Sequence, residues 1–343
     1  MPKNTPVKRA PFTVSISIAL RDRLRILSKT CGIKTSSLVD EAVMDLLSKY
    51  ASKGGIQLMN DDQRETKHII CLTNYKGGVG KTTTTAALAY LFASLGKKRV
   101  LLMDADGQFN LTIAMKAAMD GKRDILGAIM AKIADAGLSI GNFIMPTQYE
   151  GIDIIPGNRN IAEDIILQQI NKFRAETGIN PWEELVEDVR QARLYDIVLI
   201  DTHPSIHQDS LFPMQASDYL LAPLEPSNSS VAGFTQVYTK IMSTRRGKQK
   251  PRILGCFFNK VKKNTSSAKE YIPSVRKEIP QKILEATGQE MEGRIFHAEI
   301  RDSEDVRKSD NFQCAVTERF RNKNIASDYR KLYYEITEVL YHG

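Results

Sequence analysis

Cysteine is scarce in this chain: 343 residues hold four, Cys31, Cys71, Cys256 and Cys314. They stand far apart, without the paired spacing of a zinc or iron–sulfur site and without the density of a disulfide framework. Cys71 and Cys256 fall inside apolar runs, where a buried thiol is expected. A reducing cytoplasm fits this usage. Long hydrophobic runs are missing too. No stretch approaches the ~20 apolar residues of a membrane span, and the N-terminus has no apolar signal-peptide core. The expectation is a cytoplasmic protein that works without a membrane.

Acidic residues are absent where they are most expected to balance charge. Residues 240–263 hold nine Lys/Arg and no acid, and residues 1–34 hold eight against the single Asp22. Blocks of this kind are suited to contacting phosphates. The remaining composition, 42% hydrophobic and 26% charged, is that of a globular chain with length for two or three domains.

One stretch organises the rest. Ile69 to Leu72 is an apolar run that reads as a buried strand, a glycine-rich turn follows, and Thr82 to Leu95 carries Leu88, Leu91, Phe92 and Leu95 at helical spacing. Strand, glycine loop and helix are the context in which a phosphate-binding loop is credible. Gly77, Gly78 and Gly80 allow backbone N–H groups to curl around phosphate oxygens, and the helix N-terminus points at the same anion. Lys81 supplies a point charge and Thr82 a hydroxyl for Mg²⁺.

The fit to G-x-x-x-x-G-K-[ST] is incomplete: its first glycine falls at Tyr75, and Lys76 follows as an extra cation. The run Lys76-Gly77-Gly78-Val79-Gly80-Lys81-Thr82-Thr83 resembles the deviant Walker A loop of the ParA/MinD ATPases. That resemblance implies a nucleotide-sandwich homodimer holding ATP and Mg²⁺, with Lys76 reaching the partner's phosphates. It also implies an α/β fold, a doubly wound and mainly parallel sheet, over residues 67–343. Candidate strands are 68–74, 99–104, 152–156, 196–201, 218–223 and 252–258, with functional residues at their carboxyl ends.

The later motifs follow in the family's order. The second strand ends in Asp104-Ala105-Asp106-Gly107-Gln108, which resembles the family's D-x-D-x-Q; there Asp106 positions the attacking water and Asp104 lies nearer the Mg²⁺ shell. Gly107 stands where the family has proline, an expected loosening of this loop. Tyr195 to Asp201 is an apolar strand ending in an acid, the Walker B arrangement that holds Mg²⁺ through water. Thr202-His203-Pro204-Ser205 is similar to the family's T-P-P-S segment, with His203 in place of the first proline. Asn259, after Gly255 to Phe258, matches the asparagine that contacts adenine. Nonspecific DNA binding by the dimer is implied as well, with Arg245, Arg246, Lys248, Lys250 and Arg252, or Arg319, Arg321 and Lys323, as carriers. A centromere-binding, ParB-type adaptor is the implied stimulating partner.

The N-terminal segment is a separate unit. Residues 1–11 are basic and proline-punctuated, an arm. Phe12 to Ile18 alternates strictly, which predicts one half-buried strand; Leu20, Leu24, Leu27 and Cys31 then keep helical spacing up to Gly32. Thr35 caps a second helix over Leu38 to Leu47. So short a set cannot bury its apolar faces alone, so a second copy is required. The pattern resembles the ribbon-helix-helix DNA-binding domains, here residues 12–50, followed by a polar linker at 51–66. By the alternation, Thr13, Ser15 and Ser17 face base edges, and Thr35 and Ser36 lie where a helix N-terminus holds a DNA phosphate. Such a head either represses its own operon or binds the centromere. The leading expectation is therefore a nucleoid-associated DNA-partitioning ATPase. A transcription regulator using the ATPase as a dimerisation switch stays open beside it. So does a membrane-associated MinD-like regulator, although Glu335 and Glu338 make residues 329–341 a poor anchor.

Overall fold

The computed structural model describes residues 65–205, 207–245, 250–262 and 266–342. The chain divides into two units, Met1–Asp62 and Gln63–Gly343, and the described residues belong to the second. The arm, the ribbon-helix-helix segment and the linker up to residue 64 lie outside them, and with them Thr13, Ser15, Ser17, Thr35 and Ser36.

The strands are β1 (His68–Leu72), β2 (Val100–Ala105), β3 (Met145–Pro146), β4 (Ile152–Ile155), β5 (Ile197–Thr202), β6 (Tyr219–Leu224), β7 (Arg252–Val261) and β8 (Arg294–Arg301). They form one sheet in the order β3-β4-β2-β5-β1-β6-β7-β8. Every pairing is parallel except β3 with β4. The helices are α1 (Lys81–Ser94), α2 (Asn110–Ala114), α3 (Ile125–Ile133), α4 (Asp164–Thr177), α5 (Pro181–Ala192), α6 (Gln208–Ala216), α7 (Asn228–Thr244), α8 (Ser266–Thr287), α9 (Glu304–Asn311), α10 (Val316–Arg319) and α11 (Asn324–His342).

The central strands read as unbroken apolar runs because both faces of the sheet are covered. Ile69, Cys71, Val198 and Ile200 join a core built with α3, α5, α7 and α8. The alternate residues Ile70, Leu72, Ile197 and Leu199 join a second core with α1 and α11. Every residue of β1, β2 and β5 is buried, and each large aliphatic side chain there contributes ~1.5–3 kcal/mol. Cys71 and Cys256 are fully buried, as their apolar settings predict. Burial pushes the thiol of Cys256 up to about 12 and that of Cys71 higher still.

One strand and one helix differ from the sequence reading. The expected strand 252–258 runs on to Val261, because β8 extends the ladder through Phe258↔Glu299 and Val261↔Arg301. Asn259 therefore lies inside β7 rather than beyond its end. At the other end, α11 turns Ile325, Tyr329, Leu332 and Ile336 into the core. Its apolar face is already used, so it is not presented as a membrane anchor. No described helix is long and apolar enough to cross a membrane.

Candidate functional site

β1 and β5 are adjacent and in register, Leu72 opposite Asp201, so the glycine loop leaving β1 and the acid ending β5 emerge side by side. Asp104 of β2 pairs in turn with Asp201. The sheet thereby delivers the loop and both acidic motifs to one edge, at the carboxyl ends of its strands.

The loop is held at each end. Asn74 donates from Nδ2 to the Pro223 carbonyl at 2.9 Å and accepts the Lys76 N–H on Oδ1 at 2.9 Å. Gly233 of α7 allows this fit, since a Cβ there would stand 2.8 Å from the Asn74 Oδ1. Gly80, with φ +91°, caps α1 without any side-chain bond to the helix. The first turn of α1 carries no acid, so its N–H groups remain suited to an anion. Asn259 donates from Nδ2 to the Val79 carbonyl at 2.8 Å. A Cβ on Gly80 would come within 2.2 Å of that same amide nitrogen. Asn259 thus braces the loop directly, a contact that the sequence reading did not foresee.

Thr82 donates its hydroxyl to Asp201 Oδ2 at 2.6 Å. Burial pushes the Asp201 carboxyl up to about 8, and neighbouring Asp104 adds to the shift against Thr82 and Lys81. Burial also pulls Lys81 below its usual range, although Asp201 and Asp106 oppose this. Its Nζ lies 3.3 Å from the Asn74 carbonyl. Asp104 is fully buried and accepts Thr112 N and Oγ1 on Oδ2, at 2.9 and 2.7 Å, and Asp106 N on Oδ1 at 3.2 Å. Burial raises it to about 6 in spite of these bonds. Gly157 packs on it, where a Cβ would sit 3.0 Å from the carboxyl carbon.

Asp106 accepts the Gln108 N–H on Oδ1 at 2.9 Å, and the His203 Nδ1 lies 3.1 Å from the same oxygen. Gly107, expected to loosen this turn, is closely packed: a Cβ would stand 3.1 Å from the Arg159 carbonyl. Lys76 pairs with Glu225 Oε2 at 2.5 Å and reaches Ser227 Oγ at 3.2 Å, while Lys260 meets Glu225 Oε1 at 3.2 Å. Partial burial pushes the Glu225 carboxyl up, but the two lysines outweigh it and hold it below the usual glutamate range.

A cleft of about 810 Å³ opens over this edge, a size suited to a nucleotide. Gly78, Gly80, Lys81, Thr82, Thr83, Asp106 and Asn259 line it, together with His203, Lys260 and the 301–310 segment. Gly77, Val79, Lys76, Asp104 and Asp201 do not line it; Asp201 lies beneath Thr82, and Lys76 is turned to Glu225. Of the basic carriers, Arg245 is committed to Glu292 and the Pro251 carbonyl, and Lys250 to Asp218. Arg246 and Lys248 lie outside the described residues.

Strand order, glycine loop and paired acids together define a P-loop nucleoside triphosphatase fold. Comparison with known proteins carries this further. A family model described as an AAA domain matches residues 67–253, and one described as a ribbon-helix-helix domain matches residues 8–51. The chain belongs to the first family, in its ParA/MinD type, and carries a ribbon-helix-helix domain at its N-terminus. It is 29% identical over 224 residues to the chromosome partitioning protein ParA of Caulobacter vibrioides, covering 64% of this chain and 79% of that one. It is 26% identical over 275 residues to the virulence plasmid ParA family protein pGP5-D of Chlamydia muridarum, covering 80% and 94%. Among solved structures it resembles MinD of Pyrococcus horikoshii with Mg-ADP (TM-score 0.59, 20% identity, 80% and 98% covered). An ATP complex of a McdA variant from Cyanothece is similar at TM-score 0.62, 20% identity, 80% and 97% covered.

Proposed function

We propose that this chain is a DNA-partitioning ATPase that pairs around ATP, binds DNA nonspecifically as a pair, and hydrolyses ATP when an adaptor of ParB type stimulates it. The carrying observation is the buried ammonium of Lys81 in a glycine loop beside the Thr82–Asp201 hydrogen bond. A cation that burial drives toward neutrality, in a glycine loop at a helix N-terminus, is completed by a polyanion.

The residues present fit Mg²⁺ bound with a triphosphate. Among the described residues no cluster of three or more His, Cys, Asp or Glu forms a cage for a metal. Mg²⁺ commonly needs none, being held through phosphates, a hydroxyl and water-bridged carboxylate. Thr82 and Asp201 would hold it, with Asp104 behind them, and the ion would neutralise charge developing on the phosphates. Lys81 binds the outer phosphates, Asp106 orients water, and Asn259 keeps the loop closed beneath the base. Lys76 serves the partner's phosphates once it exchanges Glu225 for them. The ribbon-helix-helix head supplies sequence-specific DNA contact through Thr13, Ser15 and Ser17, with Thr35 and Ser36 on a phosphate, for autorepression or centromere binding. Its place is the cytoplasm, on the nucleoid.

Lys81→Ala tests this reading. ATP turnover and ATP-dependent DNA binding are expected to vanish together; a variant with full turnover would defeat it.

A further inference from the structure

Position 203 carries an imidazole at the mouth of the cleft, and the ring is not idle. Its Nδ1 stands 3.1 Å from Asp106 Oδ1, the oxygen that also accepts the Gln108 N–H at 2.9 Å. A carboxylate only accepts, so Nδ1 carries the proton in this contact. Among the described residues both side-chain hydrogen bonds of Asp106 fall on Oδ1, which leaves Oδ2 for a water molecule.

The backbone of this histidine is fixed from several sides. The His203 carbonyl accepts Ser205 N–H at 2.9 Å and Ser210 Oγ–H at 3.0 Å. Thr202 before it is tied to the Leu72 carbonyl at 2.8 Å, and Pro204 after it packs over Gly77. A rigid backbone therefore presents a ring that is itself 41% exposed to a carboxylate that is 9% exposed. Solvent screens the imidazole side of this contact, while the carboxylate side is buried. What the contact alters is the direction of the carboxylate. Lys81 is the competing cation, close enough for Asp106 to act on its charge. Without His203, Asp106 keeps only the Gln108 N–H on Oδ1 against the pull of the ammonium that the phosphates require.

We propose that His203 is a positioning residue, holding Asp106 by one oxygen and away from Lys81 so that the other orients the attacking water. The inference rests on the ATPase reading above. In that reaction the water oxygen bonds to the γ-phosphorus as the bond to the β–γ bridging oxygen breaks. The proton that the water loses ends on the phosphate product.

The test is steady-state ATP turnover by the full chain with Mg²⁺ and DNA, comparing wild type with His203→Ala, His203→Asn and His203→Gln. An asparagine amide nitrogen falls near the place of Nδ1, and a glutamine amide nitrogen near that of Nε2. Alanine is expected to lower kcat roughly tenfold, less than the ~10²-fold that a full 1 Å misplacement can cost, with KM for ATP within about twofold. Asparagine is expected to recover most of kcat, and glutamine not to. Equal kcat in all four chains overturns the inference, and so does a loss shared equally by alanine and asparagine or a matching rise in KM. Absence of turnover in the wild type overturns instead the ATPase reading on which it stands.

Discussion

Asp201 is a residue at which burial wins over each neighbour that favours the charge. Its carboxyl is pushed up to about 8, mainly by desolvation and then by Asp104. An unfolded chain holds such a group near ~3.9. The native state therefore binds the proton more tightly between about pH 4 and about pH 8, and stability falls as the pH rises through that window. Asp104, raised to about 6, adds to the lower part of the same window. Without Mg²⁺, the melting temperature of the wild type should fall more between about pH 5 and about pH 8 than that of Asp201→Asn. Parallel curves for the two chains would contradict this.

Gly80 needs both its positive φ and its missing Cβ, because the Asn259 amide lies 2.2 Å from where that carbon would be. Gly80→Ala should weaken nucleotide binding and cost about 1–2 kcal/mol of stability, from left-handed strain and overpacking together. Asn259→Ala in the same chain removes the clash but not the strain, so the double variant should be less damaged than the two single costs summed. Strict additivity in a urea titration would show that the contact is not shared. The glycine was legible in the sequence as part of the loop. Its partner was read from resemblance as a base contact, because no local pattern announces a bond across 180 positions from Asn259 to Val79.

At the scale of elements, the strands that were legible are those buried on both faces. β1, β2, β5 and β6 announce themselves as apolar runs, since a central parallel strand has no polar side to show. β8, reading Arg-Ile-Phe-His-Ala-Glu-Ile-Arg, was missed because an edge strand keeps charged residues on its open side. β3 has two residues and no pattern to read. The join between β7 and β8 depends on Gly255, at φ +150°, where a Cβ would stand 2.0 Å from the Arg294 carbonyl. Gly255→Ala should therefore push the edge strand off and cost about 1–3 kcal/mol, as overpacking does elsewhere. A urea midpoint equal to that of the wild type would mean the strands adjust freely at this join. The switch segment shows the limit of reading by resemblance: position 203 departs from the family's proline, and only the fold places its ring against Asp106.

For the whole molecule, the loop, the two acidic motifs and their order were legible because phosphate chemistry needs particular residues at particular strand ends. The cleft wall from 301–310 was not, since it is assembled by β8 and α9 from across the sheet. In the proposed pairing, Lys76, now bound to Glu225, would leave it to grip the phosphates of a second molecule. The direct measurement is molecular mass in solution, by sedimentation of the full chain with Mg²⁺ and a non-hydrolysable ATP analogue, set beside Mg-ADP and Lys76→Ala. The wild type should self-associate more tightly with the analogue than with ADP, and the variant should lose that gain. Association that ignores the nucleotide, or that survives intact without Lys76, would contradict it.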